Sequence, residues 1–316
     1  MSSSVYVRPF HREDRDQLTA LVNAHAAAVV PGAAASVNTV LSSLERHPDE
    51  YVTDPWVAER VTLIAQQRQR VVAAAHLLRY RNDPDVGDDY RDAGQVEWFL
   101  HVPADPDDAE EGAEGAGAGS TAADVLMSAC LAQLSRWHVR TRFLDGSLPV
   151  PGVYGLPDAW PHVRAVVERA GFVHTGDVEV VLLAAVDALP APGPAPLPGL
   201  TVRRVLGPLG TRLIARLDGA DVAYVELDTQ LDRPERLARS GGTADVADFD
   251  LPDGPVAGLP QWLFGEARRW LALAGVDRLL AYAADDDEAA AERALLASLG
   301  FQELTRTARG WTHRPQ

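Results

Sequence analysis

Five prolines fall within residues 189–198 of this 316-residue chain. Each removes a backbone N–H and fixes φ, so the stretch can be neither helix nor interior strand. Such segments tend to extended polyproline geometry, which suits a connection between folded parts. A length of 316 residues points to about two domains at roughly 150 residues each. The expected division is a domain at 1–188, a proline-rich linker at 189–198 and a shorter domain at 199–316.

The two sides read as one unit written twice. Residues 5–10 (Val-Tyr-Val-Arg-Pro-Phe) and 200–205 (Leu-Thr-Val-Arg-Arg-Val) both alternate as strands do. Strand-like runs recur at 71–78 and 222–227. Val125, Leu126, Ala129, Cys130, Leu134 and Trp137 are spaced as one face of a helix, as are Leu263, Phe264, Ala267, Trp270 and Leu271. A short apolar strand follows each helix, at 141–144 and 278–282. Each side then has a further helix, at 160–170 and 288–299, stopped by Gly171-Phe172 and Gly300-Phe301. Glycine is a natural helix C-cap, and a closing strand is expected beyond it, at 178–183 and 302–307. The second copy is shorter chiefly because it lacks two helices, near 15–28 and 36–47, that follow the first strand of the first copy.

Charge narrows the function. There are 45 Asp+Glu against 29 Lys+Arg, giving net charge −16. Nucleic acid and anionic membranes both select positive charge, so neither is an expected partner. All 29 basic residues are Arg, which excludes a Schiff-base lysine and the lysine of a P-loop. The single cysteine, Cys130, excludes an internal disulfide and lies on an apolar helix stripe, as a core residue does. Nine histidines are scattered without metal-ligand spacing, so no metal is expected. Gly115-x-Gly117-x-Gly119 lacks the spacing of a dinucleotide fingerprint. Residues 1–14 carry no signal-peptide core, and the apolar run 24–40 is broken by Pro31-Gly32, so no membrane span is expected. A reducing cytoplasm is the expected compartment.

The series strand, helices, hairpin, strand, helix, strand, helix, Gly-Phe, strand, found twice, resembles the GCN5-related N-acetyltransferase (GNAT) superfamily. Its most specific pieces are Arg169-Ala-Gly-Phe172 and Ser298-Leu-Gly-Phe301, with the helices before them. Two copies in one chain are similar in layout to the tandem actinobacterial type, of which mycothiol synthase is the best known. The resemblance covers nearly the whole chain. It implies an α/β (α+β) fold of two tandem GNAT-like domains, each a mixed twisted sheet flanked by helices. It also implies acetyl-CoA as acyl donor, a small amine as acceptor, and direct attack of the amine on the thioester with no covalent enzyme intermediate. In the family, a strand splays from its neighbour and leaves backbone groups for the pantetheine arm. The next loop carries Gln/Arg-x-x-Gly-x-Gly/Ala at a helix start, whose unpaired N–H groups hold the pyrophosphate. Carried onto this chain, the cofactor-binding positions are Leu100, Val102, Gly119, Ser120 and Thr121 in the first copy. In the second they are Phe249, Leu251, Val256, Ala257, Gly258, Leu259 and Gln261. Glu97, within the apolar run 95–102, is the implied general base of the first copy, and Glu226, within 222–227, that of the second.

Both loops depart from the family pattern. Residues 110–121 hold glycines without Arg or Gln, and 92–135 contain nine Asp/Glu and no Arg. Thr121 with Asp124 reads as a capping box that would satisfy the helix start by itself. In the second copy Pro260 replaces the second Gly/Ala and removes an N–H, and Pro255 stands near the expected Gln/Arg. Residues 240–267 contain five Asp/Glu and no Arg. The family's usual thiolate acid, a Tyr four residues before the glycine of Gly-Phe, is replaced by Val167 and Leu296. These departures keep a second reading open: a catalytically inactive pseudo-acetyltransferase that binds a ligand or a protein.

Overall fold

The computed structural model describes residues 4–45, 53–103, 118–231, 241–251 and 256–314. The chain forms two compact units, Met1–Asp177 with Thr307–Gln316, and Val178–Arg306.

In the first unit, β1 (Tyr6–Pro9) is followed by α1 (Arg15–Val29) and α2 (Val37–Leu44), the two helices expected there. Ser36 caps α2 by accepting the Thr39 N–H at 3.1 Å. A long hairpin follows, β2 (Val57–Gln67) and β3 (Arg70–Tyr80). Its turn residues, Arg68 and Gln69, both have positive φ, the geometry that matches the twist of the flanking strands. Then come β4 (Ala93–His101), α3 (Ala118–Arg136), β5 (Thr141–Leu144), β6 (Leu156–Pro157), α4 (Pro161–Arg169) and β7 (Phe172–His174). Ala73, Ala74 and Ala75 of β3 are consecutive and all 0% exposed, so both faces of the central sheet are covered. Both α1 and α3 pack against β3, where these small side chains let the helices approach.

The second unit contains β8 (Val178–Ala185), β9 (Leu200–Leu206), β10 (Thr211–Leu217), β11 (Ala220–Asp228) and β12 (Thr243–Asp250). After them come α5 (Leu259–Leu273), β13 (Arg278–Ala284), α6 (Ala290–Ser298) and β14 (Gln302–Ala308). A tight turn at 207–210 joins β9 to β10, where the first copy has its two helices. The core sets Leu263, Phe264, Ala267 and Leu271 of α5 against Val225, Leu227 and Leu279 of the sheet. Each large apolar side chain buried this way contributes about 1.5–3 kcal/mol.

The closing strands are exchanged between the copies. The first sheet runs β1-β2-β3-β4-β5-β15-β7, and its β15 (Trp311–His313) comes from the far end of the chain. Trp311 stands opposite Leu144 on one side and His174 on the other. The second sheet runs β6-β14-β8-β13-β12-β11-β10-β9, so the strand expected to close the first copy lies between β13 and β14. β8 pairs with β13 along its whole length, from Ala185 opposite Arg278 to Glu179 opposite Ala284. The slot beside β7 is taken by β15, whose Trp311 is 3% exposed, and the chain after β7 therefore leaves that sheet. The division read at 189–198 and the observed units differ in this respect. The chain passes between units at 177–178 and 306–307, and the proline stretch is an internal connection of the second unit. There Arg268 of α5 donates to the Leu189 carbonyl at 2.7 Å.

A cut at the proline stretch leaves each half without an interior strand. Residues 1–188 and 199–316 expressed apart are expected to lack native circular dichroism and to aggregate, and to recover it when expressed together. In the full chain, Trp311→Ala should cost about 3–5 kcal/mol in chemical denaturation.

Candidate functional site

Both sheets fork at the same place. β4 and β5 pair in parallel over Ala93–Val96 and Thr141–Leu144. Glu97 is then an extra residue in β4, because His76 faces Trp98 while the next residue, Leu77, faces Val96. Such a bulge bends the strand and increases its twist. Beyond it β4 stays with β3 as far as His101, paired there with Ala73. On the β5 side, Asp145 N–H still reaches Val96 O at 2.9 Å and Ser147 N–H reaches Glu97 O at 3.1 Å. The second unit repeats the arrangement. Thr243–Asp245 pair with Arg278–Leu280, and Ala247 is the extra residue between Val246, opposite Leu227, and Asp248, opposite Glu226.

At the first fork Glu97 is 5% exposed. Its Oε2 lies 3.7 Å from His76 Nε2, and His76 Nδ1 lies 2.8 Å from Thr62 Oγ1. Thr62 stands opposite His76 in the β2–β3 ladder, so the three side chains cross three adjacent strands. The His76 ring also stacks on Trp98, with centroids 5.8 Å apart and planes 21° apart. Stack and hydrogen bond together hold the imidazole in one orientation. A cavity of about 240 Å³ opens beside Thr62 and His76, with Leu41 and Leu44 of α2 on its wall.

His101, the last residue of β4, meets two more histidines. His25 of α1 and His162 of α4 approach at 3.2 Å between Nε2 atoms, and the His162 ring meets the His101 ring at 4.7 Å. His25 Nδ1 lies 2.9 Å from the Leu21 carbonyl, which places its proton on Nδ1 and leaves Nε2 as acceptor. Burial, with His101 nearby, pushes His25 and His162 down to about 4, so both are neutral near pH 7. Among the described residues no group of three or more His, Cys, Asp or Glu is arranged to hold a metal ion.

At the second fork Asp245 stands in the last parallel pair. It accepts the Tyr282 hydroxyl at 2.8 Å. Desolvation raises its carboxyl to about 6; Tyr282 pulls it down and Asp228 opposite pushes it up. A group in that range exchanges protons near neutrality. Sequence reasoning misses this residue, although an acid inside Thr243-Ala-Asp-Val-Ala247 is a signal of the same kind as Glu97. Glu226 has a different setting. It is 0% exposed, and its Oε1 accepts the Leu209 N–H and, at 2.8 Å, the Gly210 N–H. Its Oε2 accepts Arg212 Nε at 2.6 Å. A Cβ at Gly207 would collide with the same carboxylate. Glu226 thus anchors the turn that stands in place of the two missing helices.

The positions carried over for the cofactor are spread along both forks. Phe249 faces Val225 in the β11–β12 ladder, and Leu251 follows the strand end. Val256 and Leu259 are buried, Ala257 and Gln261 are exposed, and Gly258 is the N-cap of α5 with φ +80°. Leu259 N–H is bonded to Val256 O at 3.2 Å and Pro260 has none, so the first two helix residues offer no donor to a phosphate. In the first unit Leu100 is buried, and Val102 is half exposed with its N–H on Val72 O at 2.9 Å. Gly119, Ser120 and Thr121 lie inside α3, which starts at Ala118. This corrects the capping-box reading, because Thr121 is already helical and cannot be the N-cap; Asp124 pairs instead with Arg169 of α4 at 2.9 Å. The glycine-bearing stretch 110–117 and Pro255 lie outside the described residues. Val167 and Leu296 are core residues at 0% exposure. Cys130 is fully buried, and burial pushes its thiol up, which removes the thiolate needed for reactivity. No helix among the described residues is long and apolar enough to cross a membrane.

No family model matches the chain, and no curated protein matches it in sequence. Solved structures do match. A tandem GNAT protein from the clavulanic acid biosynthesis pathway aligns at 17% identity and TM-score 0.58, covering 99% of this chain and 100% of that one. A GCN5-related N-acetyltransferase from Sphaerobacter thermophilus aligns at 15% identity and TM-score 0.56, covering 98% and 95%. The fold is a tandem GCN5-related N-acetyltransferase fold.

Asp245 makes a pH-dependent contribution whose sign follows from its raised carboxyl. The folded state holds the proton more tightly than the unfolded state, so this group lowers stability as pH rises from about 4 to about 6, and the cost is complete above that. Asp245→Asn is therefore expected to raise Tm relative to wild type above about pH 7, with the difference vanishing near pH 4, in thermal melts followed by circular dichroism.

Proposed function

We propose that the chain transfers an acyl group from a thioester to a small amine, with acetyl-CoA as donor, at the fork of the first unit. The observation that carries this reading is a buried carboxylate, Glu97, at the bulge where β4 leaves β5. The donor's arm suits the edge of β4 beyond Glu97, which is not in the β5 ladder. The amine nitrogen attacks the thioester carbon; the C–N bond forms and the C–S bond breaks. The proton lost by the amine goes to Glu97, directly or through one water. The sulfur leaves as thiolate and is protonated by water, because Val167 and Leu296 stand where the family has its tyrosine. His76 is held against Glu97 by Thr62 and Trp98, and it orients the carboxylate and carries its proton onward. Asp245 with Tyr282 is the counterpart at the second fork, while Glu226 acts as a turn anchor.

Neither 92–135 nor 240–267 contains an Arg, and Pro260 lacks a donor at the start of α5. These features favour the second reading, a non-catalytic pair that binds a ligand or a protein. Calorimetry separates the two. Micromolar binding of acetyl-CoA, with thioester loss on adding mixed amines, supports transfer. Millimolar or no binding at low salt overturns it in favour of the second reading.

Glu97→Gln is expected to lower kcat/KM by about 10²–10⁴-fold with an unchanged circular dichroism spectrum. The same assay on Asp245→Asn locates the centre, because a loss confined to that variant moves it to the second unit.

A further inference from the structure

Resting on that reading, we propose that the cavity of the first unit is the acceptor site and that it selects an amine also bearing a carboxylate, a small amino acid with an apolar side chain. At about 240 Å³ the cavity is smaller than the roughly 300–1,000 Å³ sites that hold drug-sized ligands, so its occupant is a small metabolite. Phe10, Leu41, Leu44 and Val61 supply an apolar wall. Two guanidiniums line the cavity, Arg12 and Arg60, against one carboxylate, Glu45. With Asp54 paired to Arg60, two guanidiniums balance two carboxylates here, so the cavity escapes the negative excess of a chain of net charge −16 and its Arg side chains can take an anionic group. Arg60 adds a second observation. Its Nη2 donates to Asp54 Oδ1 at 3.2 Å, whereas its buried Nη1 has no hydrogen-bond partner among the described residues. Buried donors normally have partners, and a guanidinium fork is best matched by a carboxylate.

The same cavity reaches the candidate proton acceptor. Thr62 and His76 line it, and His76 Nε2 lies 3.7 Å from Glu97 Oε2. A small molecule with its carboxylate on Arg12 and Arg60 has its amine within the same cavity as His76 and the proton acceptor behind it. Leu41, Leu44 and Glu45 come from α2 and its C-cap, an element that the second copy lacks.

The test is isothermal titration calorimetry on the full chain without acyl donor, using L-leucine, 4-methylpentanoate and L-leucine methyl ester. Leucine and 4-methylpentanoate should bind, and the ester at least about tenfold more weakly, since it keeps the amine and loses the carboxylate. Arg12→Gln should weaken leucine binding by about tenfold, and Leu41→Trp, which fills the cavity, should abolish it. Arg60→Gln should behave as Arg12→Gln; because Arg60 holds the buried Asp54, the exposed Arg12 and the Leu41 variant carry the test if it fails to fold. Ester binding equal to leucine, no carboxylate bound at millimolar concentration, or leucine binding unchanged in Leu41→Trp overturns the proposal. Leucine binding without thioester turnover leaves this site standing and removes the acyl-transfer reading. Equal turnover of ester and leucine does the reverse.

Discussion

An interior β-strand cannot be withheld from a sheet, because both neighbours would then expose rows of unpaired N–H and C=O groups. In each unit that strand is supplied by the other copy. β15 has only three residues, yet Trp311 is almost fully buried and its indole N–H donates to Ala308 O at 3.1 Å. The fork depends on this strand. β5 pairs with β4 over four residues and is held on its other side by Trp311 and Thr312. Without β15 nothing in the ladder would keep β5 in place once β4 turns away. Pairings so distant in sequence also carry a loop-closure cost, which slows folding.

The two forks share a backbone shape and differ in chemistry. In the first, the extra residue is itself the acid, and its partner is an imidazole held between a hydroxyl and an indole. In the second, the extra residue is Ala247, and the acid two positions earlier is partnered by a phenol and faces another carboxylate, Asp228. A phenol bond and a nearby acid act in opposite directions on a carboxyl, and desolvation decides the outcome. The missing cations at the phosphate end weigh less than they first suggest. One pair of unlike charges about 4 Å apart is worth roughly 1 kcal/mol in water and about 4 kcal/mol at an effective dielectric of 20. On the proposed reading, a donor also held by backbone groups along β4 can lose one such contact and still bind.

Much of the fold is legible in the residues. β5 falls at Thr141–Leu144 as its apolar run indicates, and Gly171 and Gly300 take φ of +89° and +100° after their helices. Those signals are local, since they depend on period and on conformations that only glycine adopts freely. What is not legible is pairing. Alternation says which face of β8 is buried and is silent on which strand lies along its edge. The same limit applies to acids. Glu97 and Glu226 look alike in sequence, each an acid in an apolar strand. Glu226 is bound by a turn and an arginine 14 to 17 residues before it, and nothing within its own strand says so. His25 and His162 are 137 positions apart, so their contact leaves no spacing to find. The first described turn of α3 is hidden for another reason: Ala118-Gly119-Ser120 resembles a loop in sequence, but it is helical.

Exchanged strands also change what inheritance can do with the two copies. A duplicated segment is ordinarily free to decay or to be deleted. Here deletion of the second copy would take Trp311–His313 out of the first sheet, and deletion of the first would take Val178–Ala185 out of the second. Selection therefore sees the pair as one object. A substitution that spoils either sheet is exposed through both.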